Sequence, residues 1–185
     1  LNIPYFVILG TIEPRKNHWL ILQLWRQLVE RMGERAPRLV VIGQRGWECE
    51  NVIDLLERCT VLRGFVFEYS DCNDTELAAW LHHAQALLFP SFTEGFGMPL
   101  VEALNLGVPV IASDLPVFRE IAGPVPEYVH PLDGKGWTEA IRAYVQKDGP
   151  ARQAQQQRMA RFSPPTWSTH FAQVETLLER LRAAG

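Results

Sequence analysis

A Rossmann-like, doubly wound parallel α/β sheet is the fold that this sequence predicts. Three observations carry that expectation. Short runs apolar on both faces recur along the chain and are closed by glycine, proline or serine, as in the buried strands of a parallel sheet. Amphipathic stretches at helical spacing separate them. Strand–helix alternation of this kind buries its apolar surface when helices cover both faces of one sheet.

The first run, Tyr5–Leu9, ends at Gly10. In the helix pattern that follows, Ile21, Leu24, Trp25, Leu28 and Met32 share one face, and Gln23, Arg26, Gln27 and Glu30 lie mostly on the other. Asn17 is placed to cap its start and Gly33 to end it. Residues 39–42 form the next strand, Glu50–Arg58 a helix, and residues 61–66 a weaker strand candidate. Then come a helix at Asp74–His83, a strand at 86–89, a helix at 98–106 and a strand at 108–112. A short helix at 117–121, an edge strand at 128–129 and a helix at 137–146 complete one sheet core, about residues 3–147. Asp148-Gly149-Pro150 and Pro164-Pro165 break up the C-terminal helices, about 150–183, which are expected to pack outside the sheet. The last of them, at 166–182, carries an apolar stripe of Trp167, Phe171, Val174, Leu177, Leu178 and Leu181.

Composition narrows the function. With 185 residues, 47% apolar and 21% charged, the chain is one ordinary globular domain, neither disordered nor low-complexity. Eighteen lysines and arginines against 21 acids leave a net charge of −3. That balance argues against a domain that grips nucleic acid through its phosphates. Cys49, Cys59 and Cys72 match no zinc spacing and read as free thiols of a reducing compartment. No apolar run approaches the ~20 residues of a membrane-spanning helix, and no signal peptide is visible. A chain that opens at Leu1 and enters a strand at once reads as a piece of a longer protein.

In open α/β sheets, ligands bind beyond the carboxyl ends of the strands. The richest segment there is Ser91-Phe92-Thr93-Glu94-Gly95-Phe96-Gly97-Met98-Pro99-Leu100-Val101-Glu102. It runs from a strand end through a glycine-flanked turn into a helix with proline near its first turn. Gly95 and Gly97 allow close approach of backbone to a ligand, and the open N–H groups of the helix start suit an anion. Glu94 and Glu102 are poor partners for that anion. They make sense if each accepts from hydroxyls at the two ends of a diphosphate, a sugar on one side and a ribose on the other.

Glu94 and Glu102, seven residues apart within EGFGMPLVEAL and followed by GVPVIASDLPVFREIAG, resemble the E-x7-E signature of retaining GT-B glycosyltransferases of family 4. The stretch Gly10-Thr11-Ile12-Glu13-Pro14-Arg15-Lys16-Asn17 is similar to the same family's GTxxPRKN motif. The resemblance runs from about residue 5 to 171. It implies the C-terminal, donor-binding half of a two-domain GT-B enzyme, whose N-terminal half would hold a saccharide or lipid-linked acceptor. Lys16 would contact the donor diphosphate, with Arg15 beside it. Glu94 would bind the transferred sugar, as an electrostatic residue and not a nucleophile, and Glu102 the ribose. Backbone amides of Phe96, Gly97, Met98 and Leu100 would face sugar and phosphates, Gly95 would belong to the same donor-binding turn, and the base would lie near Gly64 to Val66. Thr11 stands where many members carry a phosphate-binding arginine, which implies weaker cationic help. The resemblance further implies a metal-independent transfer without cofactor, in which Lys16, Arg15 and the helix start stabilise the leaving diphosphate. No Asp-x-Asp metal anchor occurs; Asp71-Cys72-Asn73-Asp74 reads as a turn and helix cap. GDP-mannose is the expected donor, with a UDP-linked sugar as the other choice, and polysaccharide or lipopolysaccharide assembly at the cytoplasmic face of a membrane the expected setting.

The competing readings are a sugar-nucleotide epimerase or phosphorylase of the same fold, and a nucleotide-binding interaction module without transfer. A dehydrogenase would need G-x-G-x-x-G after the first strand, and none follows it. Arg45 and Trp47, just past a strand end, are further candidates to line the cleft. Ser113 and Asp114 read as a turn and helix cap, His82 and His83 as a helix end, and His18 and His130 as residues without a special role.

Overall fold

The structure, a computed structural model, describes residues 3–183. Six parallel strands form one sheet in the order β3-β2-β1-β4-β5-β6. They are β1 (Tyr5–Leu9), β2 (Arg38–Ile42), β3 (Val66–Tyr69), β4 (Leu87–Phe89), β5 (Val110–Ser113) and β6 (Glu127–Val129). The connecting helices are α1 (His18–Met32), α2 (Glu50–Arg58), α3 (Asp74–His83), α4 (Met98–Asn105) and α5 (Pro116–Ala122). After β6 follow α6 (Gly134–Tyr144), α7 (Pro150–Met159) and α8 (Trp167–Ala183). The expected Rossmann-like parallel sheet is observed.

Two cores sit on its two faces. Ile21, Leu22, Trp25 and Leu28 of α1 pack with Trp137 and Ile141 of α6 over Phe6, Ile8, Leu39 and Val41. Leu100, Ala103 and Leu104 of α4 pack with Phe118 of α5 over Val7, Val40, Leu87 and Phe89. Strand residues thus alternate between two buried faces, which is why the strands carry no polar alternation.

The weak strand candidate at 61–66 is corrected. Residues Thr60–Leu62 form a 3-10 turn that buries Leu62, Gly64 turns the chain at φ 81°, and the strand starts only at Val66. Val66 pairs with Leu39 and Tyr69 with Ile42, so Val66 lies at the amino end of the sheet.

α7 carries little apolar surface, with only Ala151 and Met159 among its described residues resting on the two cores. It docks through Arg152, Gln155 and Arg158, whose side chains donate to the carbonyls of Gln85, of Val110 and Val125, and of Val125 respectively. α8 is the opposite case: Trp167, Phe171, Leu177, Leu178 and Leu181 are all exposed. No helix among the described residues is long and apolar enough to cross a membrane.

Candidate functional site

β1 and β4 are neighbours although β2 and β3 lie between them in the chain, so the connections leaving their carboxyl ends diverge and open a crevice. After β1, Pro14 starts a 3-10 turn, and the amides of Lys16 and Asn17 close it on the carbonyls of Glu13 and Pro14. The turn directs the Lys16 stem inward, toward Gly10 and the Phe89 ring, whose centroid lies 5.1 Å from Nζ. After β4, the amide of Phe92 donates to the carbonyl of Arg15 at 2.8 Å, which ties the two segments together.

Glu94 is the centre of this crevice. Its carboxylate accepts from Lys16 Nζ at 2.6 Å, Ser91 Oγ at 2.7 Å and Arg15 Nη1 at 3.1 Å. Arg15 also pairs with Glu13 at 2.6 Å. The side chains of Lys16 and Glu94 are only 11% and 8% exposed, so the pair is largely withdrawn from water. An ammonium has three N–H donors, and Glu94 is the only acceptor that Lys16 Nζ has among the described residues. The remaining donors can take an incoming oxyanion without releasing Glu94.

The helix start adds further donors. Gly97 is the N-cap of α4 at φ 96°, and the N–H groups of Phe96, Gly97 and Met98 have no acceptor among the described residues. The expectation for Leu100 is corrected: its amide donates to the Gly97 carbonyl at 3.0 Å and is already occupied. Gly95 has ordinary backbone angles and open space around it, so the conformational need for glycine falls on Gly97. A Cβ there would lie 2.6 Å from Phe118 Cε1. Gly97→Ala is expected to cost about 2–3 kcal/mol, from left-handed backbone plus overpacking. Urea denaturation measures it.

The other candidates divide. Glu102 lies exposed on α4, and Phe96 and Met98 are exposed at its start. Val66 is corrected as a base contact: it sits at the amino end of β3, opposite the edge where the crevice opens. Thr11 lies exposed with its methyl toward Gly46. Arg45 is not free for a ligand, since Glu68 holds it in two bonds of 2.8 Å and Glu57 in one of 2.6 Å. Those partners raise its already high pKa. Asp114 pairs with Arg119, which lowers its pKa, and does not cap α5. Ser113 ends β5, fully buried. His82 and His83 are exposed at the end of α3, and His130 Nδ1 accepts from the Leu132 amide. Asn73, with Glu76, forms the expected cap of α3.

Three residues do more than the sequence alone conveys. Asn17 occupies the N-cap of α1 but makes no side-chain cap. Its Nδ2 instead donates to the carbonyls of Pro90 and Pro131, holding the segments after β4 and β6 around Lys16. Ser91 is the hydroxyl partner of Glu94; its place three residues before Glu94 in a strand-end turn was the available signal. His18 is buried, and both ring nitrogens lack a partner among the described residues. Burial, helped by the nearby Lys16 charge, lowers its pKa from 6.5 to about 4. The unfolded imidazole therefore binds a proton near pH 6.5 that the folded one refuses until about pH 4. Stability is expected to be unaffected above that window and to fall by about 3 kcal/mol as pH drops through it. Denaturation at stepped pH should show this slope in the parent and its loss in His18→Leu.

This parallel sheet has known counterparts. The chain belongs to the family of glycosyl transferases group 1, whose profile matches residues 2–160. It is similar to the serotype-specific mannosyltransferase WbdA of Escherichia coli, 37% identical over 123 residues, which cover 64% of this chain and 14% of that protein. It is also similar to the O-antigen chain mannosyltransferase B of Escherichia coli, 35% identical over 141 residues, 76% of this chain and 35% of the relative. Among solved structures, it shares its fold with WaaG, a glycosyltransferase involved in lipopolysaccharide biosynthesis, at a TM-score of 0.69 and 22% identity over 85% of this chain and 41% of the other. The chain spans less than half the length of each of these proteins.

Proposed function

We propose that this chain is the donor-binding half of a retaining, metal-independent hexosyltransferase. In this reading it holds a nucleoside-diphosphate sugar, with GDP-mannose the preferred donor. The observation that carries the reading is the meeting of Lys16, Glu94 and Ser91 in the β1/β4 crevice, beside the open amides of Phe96, Gly97 and Met98. Cleavage of the sugar–phosphate bond builds negative charge on the leaving diphosphate. The ammonium of Lys16, the guanidinium of Arg15 and the start of α4 stand where they would stabilise it. Glu94, with its orientation fixed by three donors, keeps one lone pair, on Oε2, for a sugar hydroxyl, and Glu102 serves the ribose. The mannosyltransferase relatives support mannose as the sugar. The acceptor, saccharide or lipid-linked, is assigned to an N-terminal half outside this chain, and the reaction to the cytoplasmic side of a membrane.

Calorimetric titration with GDP, UDP and ADP tests the reading. One nucleoside diphosphate should bind, and Glu102→Ala should weaken it about ten-fold by removing the ribose contact. Binding of none, or equal binding to parent and variant, contradicts it.

A further inference from the structure

The segment after β2 carries an exposed tryptophan that the site described above does not use. Trp47 is 60% exposed, and lone exposed aromatics are common enough to need no explanation. Trp47 differs in how it is held. Its Nε1 donates to Glu13 Oε2 at 3.1 Å. Glu13 in turn pairs with Arg15, and Arg15 with Glu94. The indole is thus the outer end of a continuous chain of polar contacts that begins at the crevice.

Its loop is built onto the segment after β1. Ile12 N donates to Gln44 O at 2.8 Å and Gly46 N to Ile12 O at 3.0 Å. A Cβ at Gly46 would lie 2.7 Å from Thr11 Cγ2, so the two segments touch. Cys49 Sγ bonds the Gly46 carbonyl, and Glu48 takes the left-handed conformation at φ 46°, unusual for a residue other than glycine. On this turn the indole is tethered at its N–H and otherwise largely exposed.

Position and charge indicate the ligand. β2 lies on the far side of β1 from β4, so Trp47 and the start of α4 flank the Lys16–Glu94 centre from opposite sides. Glu13 holds the indole N–H, Glu48 and Glu50 follow Trp47 within three residues of the chain, and the nearby Arg45 is taken up by Glu57 and Glu68. An acidic neighbourhood repels phosphate. It suits a neutral polyhydroxyl ligand, whose apolar C–H face stacks on indole and whose hydroxyls donate to carboxylates. Resting on the proposed donor site, we infer that Trp47 is a saccharide-stacking residue for the acceptor, a subsite that this half of the enzyme contributes.

The test uses this chain, mannotriose as the neutral saccharide and GDP as the nucleotide. The indole N–H signal of Trp47 is identified in a nitrogen–proton correlation spectrum by its loss in Trp47→Phe. Mannotriose should move that signal in a saturable way. Trp47→Ala should weaken mannotriose binding about ten-fold, with Trp47→Phe intermediate, while GDP affinity stays within about two-fold. Mannotriose binding unchanged in Trp47→Ala overturns the inference, as does a signal that follows GDP and ignores the trisaccharide. GDP binding without any trisaccharide response refutes the stacking role and leaves the donor site standing. A trisaccharide response at Trp47 without nucleotide binding refutes the donor site alone.

Discussion

Lys16→Ala is expected to weaken nucleoside diphosphate binding by about 10- to 100-fold, the equivalent of one or two hydrogen bonds to a charged group. Two physical effects combine. The variant removes the ammonium whose uncommitted donors face the crevice. It also leaves Glu94, only 8% exposed, with Ser91 and Arg15 as its remaining partners, so its negative charge is less fully compensated beside the incoming phosphates. Arginine is not an equivalent replacement: the stem of Lys16 runs close past Gly10, where a Cβ would lie 3.5 Å from Cε, and a planar guanidinium needs more width there. Calorimetry on Lys16→Ala and Lys16→Arg, with a thermal melt to confirm folding, measures the effect. Affinity equal to the parent in Lys16→Ala would remove Lys16 from the site.

The largest effect on stability is expected from Gln155→Leu. β6 begins opposite Ile111, so the N–H and C=O of Val110 point outward with no strand beside them. The Gln155 amide takes the strand's place: Oε1 accepts from Val110 N at 3.1 Å, and Nε2 donates to Val110 O at 2.7 Å and Val125 O at 3.1 Å. Leucine fills similar volume but leaves the N–H and C=O of Val110 unpaired, at about 1–3 kcal/mol each before relaxation, while Val125 O keeps its bond from Arg158. A loss of about 3–5 kcal/mol in urea denaturation is the expected result, and a loss below about 1 kcal/mol would mean that α7 contributes little to the sheet.

These elements also explain what the sequence discloses and what it withholds. β1, β2, β4 and β5 are legible because each is buried on both faces and therefore apolar apart from the terminal Arg38 and Ser113. β3 is an edge strand whose Glu68 reaches out to Arg45, so it lacks that signature. The more apolar run just before it was the natural misreading. α7 is nearly invisible to hydropathy because its docking face is Arg152, Gln155 and Arg158, and its partners are backbone carbonyls that no side-chain pattern announces. The helix at Met98 is legible, since a left-handed glycine followed by Met98-Pro99 is a strong start signal. The pairing of Lys16 with Glu94, far apart in the chain, follows from no local spacing. The family resemblance assigns each a place at the donor without joining them; their contact depends on β1 and β4 lying side by side. Asn17 shows the limit of a local rule: its residue type and place fit a helix cap, but two loop carbonyls compete for its amide and win.

The most direct measurement of the central claim is amide chemical-shift mapping of this chain with GDP. Binding in the β1/β4 crevice predicts shifts concentrated at residues 10–17 and 91–102, with the open amides of Phe96, Gly97 and Met98 among the largest. Shifts centred elsewhere on the sheet, or none at saturating nucleotide, would contradict the assignment of this crevice as the donor site.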